Sequence, residues 1–195
     1  MVAPNPARRR LSAAAAVGLV SALALAACSN GSGSSSSIGY VNVSVGISQV
    51  TPSSRQAAPQ LSGTTVEGKA YSTSYTGHVT VINVWGSWCT ACREEAASLA
   101  ETYSQYKSKG VQFVGIDTLD QNAGALAYQS QFGVQYPSLQ DPDETLVLDL
   151  KSIIPSEGVP STIIVDSSGK VAVRAIGGIT EPELKQELGY ALSES

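Results

Sequence analysis

"VINVWGSWCTACREE", residues 81 to 95, carries three signals in a row. An apolar, β-branched run ends at Trp85, and Gly86 and Ser87 form a break. Two cysteines, Cys89 and Cys92, then open a stretch of helix formers. The reading is strand, turn, helix, with a dithiol at the junction. Cysteines two residues apart grip a metal, close a structural disulfide or trade electrons with another protein.

The flanking sequence continues the alternation. "VTVINVW", 79 to 85, reads as a strand covered on both faces. Residues 90 to 109 place Ala96, Leu99, Tyr103 and Tyr106 at steps of three and four, a helix that Gly110 stops. "VQFVGI", 111 to 116, is a second strand, and 121 to 131 a helix containing Ala125, Leu126 and Tyr128. Residues 162 to 165 and 171 to 176 flank "DSSG" as a hairpin. "TEPELKQELGYAL" opens with Thr180 as N-cap and Glu183 three residues on, a capping box that starts a last helix. The predicted fold class is α/β: a central mixed β-sheet flanked by helices, in one domain over residues 61–195.

The N-terminus reads differently. Three arginines, Arg8 to Arg10, precede an uncharged apolar run from Leu11 to Ala27, the pattern of an export signal over residues 1–27. The run closes as "LAAC", which resembles the bacterial lipoprotein box and implies cleavage before Cys28 with lipid on its thiol. "SNGSGSSSS" suits a flexible tether. Residues 28–60 are therefore read as lipidated cysteine and tether, with a candidate short strand in "YVNVSVGI". Loss of residues 1–27 leaves 9 basic against 16 acidic side chains, a net charge of −7. That excludes the basic surface a nucleic-acid binder needs.

Position narrows the role of the cysteine pair. Cys89 falls where the unpaired N–H groups of a helix start stabilise a thiolate. Cys92 lies one turn further in and is more buried, the asymmetry that disulfide exchange requires. A structural zinc site wants four ligands. The mature chain has three cysteines, Cys28 among them, and one histidine, His78, in a loop. An inert disulfide stays open as a reading, because exported proteins keep disulfides. So short a loop, however, removes little chain entropy.

"VINVWGSWCTACREE", with "GVQFVGID", "FGVQYPSLQD", "GVPSTIIVDSSGKV" and the closing helix, resembles the thioredoxin superfamily, and within it the membrane-tethered, extracytoplasmic TlpA/ResA-like thiol–disulfide oxidoreductases. The resemblance covers about residues 61 to 192. It implies a thioredoxin-like fold with an extra strand–helix insert over about 111 to 150 and an N-terminal extension. Cys89 would be the attacking thiol and Cys92 the resolving one. Trp88 would cover the pair, with Trp85 closing the strand. Pro160 of "GVPST" would be the cis-proline facing the cysteines, leaving the Val159 backbone to pair with a partner chain. Small thioredoxins keep a buried aspartate where this chain has Asn83, so Glu95 is the active-site carboxylate the subgroup implies, and Glu94 is read as solvated.

The implied activity is thiol–disulfide exchange on the outer face of the cytoplasmic membrane, in cytochrome c maturation or disulfide homeostasis, without a cofactor or metal. Implied partners are exported or membrane proteins with cysteine pairs, and a membrane electron donor or acceptor. Ala91 stands where the subgroup has proline, and reducing and oxidising roles use identical parts. Two rival readings are a peroxiredoxin-type thiol peroxidase and a lipid-anchored binding module with a structural disulfide. The first lacks its activating threonine and proline, since Gly86 and Ile82 stand there.

Overall fold

The computed structural model describes residues 39–193. The predicted signal and Cys28 lie outside them. The described strands are β1 (Tyr40–Ser44), β2 (Ile47–Val50), β3 (Ser62–Thr64), β4 (Ala70–Ser72), β5 (Thr80–Trp85), β6 (Gln112–Thr118), β7 (Ser138–Asp141), β8 (Ser161–Val165) and β9 (Val171–Ile176). The helices are α1 (Thr90–Tyr106), α2 (Asn122–Phe132), α3 (Thr145–Asp149) and α4 (Glu181–Ser193). Seven strands form one mixed sheet in the order β1-β2-β9-β8-β5-β6-β7, and β3 and β4 pair apart from it. β5, β6 and β7 run parallel, while the remaining neighbours are antiparallel.

Every residue of β5 is buried, as a largely apolar run broken only by Thr80 and Asn83 allows. Its side chains alternate between two cores. Ile82 and Val84 join Val114, Ile116, Ile163 and Val165 over Leu139, Leu150 and Ile154. Val81 joins Phe113, Ile164 and Val173 under Leu99 of α1 and Leu184 and Leu188 of α4. The glutamate half of the predicted capping box forms: Thr180 N and Oγ1 both donate to Glu183 Oε2, at 2.9 and 2.6 Å.

The tether reading is corrected over its second half, because residues 40–60 are folded and belong to the domain. β1 and β2 make a hairpin that extends the sheet, with Ile47 opposite Ala175 and Gln49 opposite Val173. Its junction needs a glycine. Gly46 has φ +80°, its carbonyl accepts from Ile176 N at 2.9 Å, and a Cβ there would stand 2.6 Å from Ile176 O. α4 holds the hairpin from one face, Gln49 Nε2 donating to Glu187 Oε2 and Tyr190 OH to Val50 O.

Arg55 then pins the following segment. Its Nε donates to Val50 O at 3.1 Å and its Nη1 to Asp166 Oδ2 at 3.0 Å, both residues being buried. Burial pushes the Asp166 carboxyl up, but hydrogen bonds from Ser168, Lys170 and Arg55 outweigh it and hold it below the usual range. Removing the guanidinium leaves that charge without its cation. Arg55→Ala is expected to cost about 3 kcal/mol or more, read as a lowered urea midpoint at pH 7. An unchanged midpoint would mean the segment before β3 contributes nothing to stability.

Candidate active site

Cys89 caps α1 with extended backbone angles, φ −84° and ψ 116°, and its Sγ accepts from Cys92 N at 3.1 Å. The cysteines are joined as a disulfide. Cys89 is 7% exposed and Cys92 0%, so the first cysteine is the one that keeps some contact with the surface. On reduction, the same N–H and helix start favour negative charge on Cys89.

The turn before Cys89 is shaped by Gly86. A Cβ there would sit 2.4 Å from Trp88 Nε1, which instead folds back to donate to Thr118 O at 3.1 Å. The Trp88 ring is left 53% exposed beside the disulfide. Trp85 is buried and stacks on Tyr128 of α2 at 4.2 Å. Tyr128 OH donates to Cys92 O at 2.8 Å, so α2 braces the backbone of the inner cysteine.

Glu95 points inward from α1 and Glu94 outward. Asn83 Nδ2 donates to Glu95 Oε1 and Ile179 N to Oε2, each at 2.9 Å. Burial is the dominant influence and pushes the carboxyl up to about 7 against the pull of both hydrogen bonds. Glu95 is thus a buried carboxyl and not a surface charge. Asn83, at the position where a buried aspartate would titrate, acts as a donor to the glutamate. Glu95 also borders an open groove between α1 and the segment from Gly178 to Pro182.

The Val159–Pro160 peptide bond is cis. Ser161 pairs with Val84, which sets Pro160 at the end of the sheet where β5 delivers the cysteines. Val159 packs against the cluster that holds Cys89, Cys92 and Trp85. The structure thus gathers Cys89, Cys92, Glu95, Trp88, Val159 and Pro160 at one end of the sheet. His78 lies apart, with Nδ1 3.3 Å from Gly110 O.

Two carboxyls were not singled out from the sequence. Asp117 is buried opposite Trp85 across the β5–β6 ladder. Asp120 Oδ2 accepts from Ser87 N at 2.6 Å and so holds the turn that carries Trp88 and Cys89. Burial first, then the charge of Asp120, pushes Asp117 up to about 8. The signal available was an acid closing an apolar strand, "VGID", beside the strand that leads into the cysteines.

A nearly buried cysteine at a helix start, a fully buried partner one turn in and a carboxyl that titrates near neutrality make a site for two-electron exchange with thiols. Comparisons with known proteins agree. The model of the AhpC/TSA family matches residues 54–174. The chain is 30% identical over 132 residues to thiol-disulfide oxidoreductase ResA of Bacillus thuringiensis (strain Al Hakam), covering 66% of this chain and 72% of that one. It is 34% identical over 113 residues to thiol:disulfide interchange protein DsbE of Allochromatium vinosum, covering 57% and 59%. A solved DsbF homologue from Corynebacterium diphtheriae aligns at a TM-score of 0.70 with 26% identity, over 74% of this chain and 92% of that one. The chain therefore belongs to the AhpC/TSA family, and within it to the thiol–disulfide oxidoreductases of the ResA type.

Proposed function

We propose that the enzyme exchanges its Cys89–Cys92 pair with cysteines of exported or membrane proteins, from a lipid anchor at Cys28 on the outer face of the cytoplasmic membrane. Cys89 attacks and Cys92 resolves. The observation that carries this reading is the position of the pair at the start of α1, where Cys89 is the N-cap and keeps 7% of its surface while Cys92, one turn in, keeps none. Trp88, Val159 and Pro160 receive the partner chain, and a membrane electron donor or acceptor resets the pair. Cytochrome c maturation or disulfide homeostasis is the setting. The arginine-led apolar run ending in "LAAC" supports the anchor.

Thiol trapping in intact cells tests the reading. The pair is expected to move between dithiol and disulfide when the cells receive a reductant and then an oxidant. Intact mass of the membrane fraction is expected to begin at a lipid-bearing Cys28. A pair that stays oxidised throughout is a structural disulfide, and a mature chain without lipid removes the anchor.

A further inference from the structure

Large apolar side chains stand exposed on both sides of the disulfide. Trp88 and Leu119, each 53% exposed, lie on the β5–β6 side. On the other side are Ile176 at 36%, Val43 at 41% and Val45 at 102%, the last at the tip of the β1–β2 hairpin. Hydrogen bonds connect that tip to the active-site end of the sheet. Gly46 O accepts from Ile176 N, Ile176 pairs with Ser161, and Pro160 O accepts from Gly177 N, both hydrogen bonds at 2.9 Å. Arg174 borders the same groove as Val43, Val45 and Ile176, but its guanidinium lies over the Tyr40 ring at 3.8 Å and donates to Ile153 O.

We propose that the hairpin tip is part of the surface on which this enzyme seats its protein partner, where Val43, Val45 and Ile176 take apolar side chains near the partner's reactive cysteine. The proposal rests on Cys89 being the point of attack. A thiol–disulfide oxidoreductase must bring a partner's cysteine to its attacking sulfur, so the partner's chain crosses the rim that these groups line. Exposed apolar patches of this kind mark interaction sites. From β5 across β8 and β9 to β2 is three strand spacings, about 14 Å. An extended chain covers that in about four residues at roughly 3.3 Å each. The favoured partner is an unfolded or extended polypeptide with an apolar residue about four positions from its cysteine.

A lipid surface is the competing occupant, since the tether precedes the hairpin. Continuity with Ile176 and the Pro160 loop favours the polypeptide, and the experiment separates the two. Two disulfide-bearing peptides are compared, one with leucine and one with serine four residues to either side of the cysteine. Each is assayed with the full-length parent and with the Val43→Ser/Val45→Ser variant, whose changed side chains are exposed. For the leucine peptide the variant is expected to raise KM about fivefold with kcat within about twofold. For the serine peptide, parent and variant should share one KM.

Equal KM values on the leucine peptide overturn the proposal. The same kinetics with weaker sedimentation of the variant on phosphatidylcholine–phosphatidylglycerol vesicles assign the tip to lipid. A parent that reduces neither peptide and is not reoxidised by either removes the Cys89 reading itself, a failure distinct from that of the hairpin.

Discussion

Cys92→Ser is expected to accumulate a covalent complex with its partner through Cys89, whereas Cys89→Ser loses dithiol exchange by on the order of 10⁴-fold or more. The asymmetry follows from burial and from the start of α1. Only Cys89 reaches the surface, and Cys92 N points at its sulfur. In the reducing direction the Cys89 thiolate attacks one sulfur of a partner disulfide. A Cys89–partner disulfide forms and the partner's second sulfur leaves as a thiolate. Cys92 then attacks Cys89 Sγ, closing the enzyme disulfide and releasing the partner as a dithiol, so two electrons pass from enzyme to partner. The oxidising direction runs the same steps backwards. Serine at 92 cannot make the second attack, and the complex persists. Serine at 89 leaves one thiol that no partner reaches. Non-reducing electrophoresis and mass spectrometry after acid quench read both outcomes. Equal trapping by the two variants would show that both sulfurs are reachable and would remove the assignment of roles.

How much of this was legible depended on how strongly each element was patterned. β5, β6, β8 and β9 are nearly continuous apolar runs buried on both faces, and α1 and α4 carry clear caps and stripes, so all six were placed from sequence. The β1–β2 hairpin is legible only as a candidate short strand in "YVNVSVGI", because β1 is an edge strand whose residues 41–44 are exposed. Its serines and asparagine read equally as an extension of the tether. The decisive signal was Gly46, whose left-handed conformation lets the hairpin close on Ile176. β7 and α3 went unassigned within "GVQYPSLQDPDETLVLDL" because each is a single short run. Asp141 organises the start of α3, accepting from Leu146 N and Val147 N. At the site, the cysteines, Trp88 and Pro160 could be named from spacing and resemblance. The Asn83–Glu95 hydrogen bond, the Tyr128 brace on Cys92 and the Asp120 grip on Ser87 join residues 12, 36 and 33 positions apart. No local pattern announces such pairs.

Glu95→Gln is expected to slow exchange by about 10²-fold and to erase an inflection near pH 7 in the pH–rate profile. Cys92 is sealed from water, yet it must gain a proton as a leaving group and lose one as a nucleophile. Glu95 stands one turn along the same helix, borders the open groove and titrates at about 7, so it can accept and return that proton at working pH. Its charge also opposes ionisation of Cys92, and the variant's Cys92 thiol should titrate lower and alkylate faster at pH 7. Glutamine can keep both neighbours, accepting from Ile179 N and donating to Asn83 if that amide turns over. Stability should move the other way from activity. The folded state holds the Glu95 proton up to about pH 7 against an ordinary value of 4.5. The unfolded chain gives it up first, so this carboxyl lowers stability as pH rises from 4.5 to 7, by at most roughly 3 kcal/mol. The variant should therefore lose less stability than the parent across that window. Asp117 titrates close by, at about 8, so Asp117→Asn is needed to assign the inflection, and the exposed Glu94→Gln serves as charge control. A Glu95→Gln profile that keeps the parent's inflection and rate, even with altered stability, would make Glu95 a structural carboxyl and route the Cys92 proton through water.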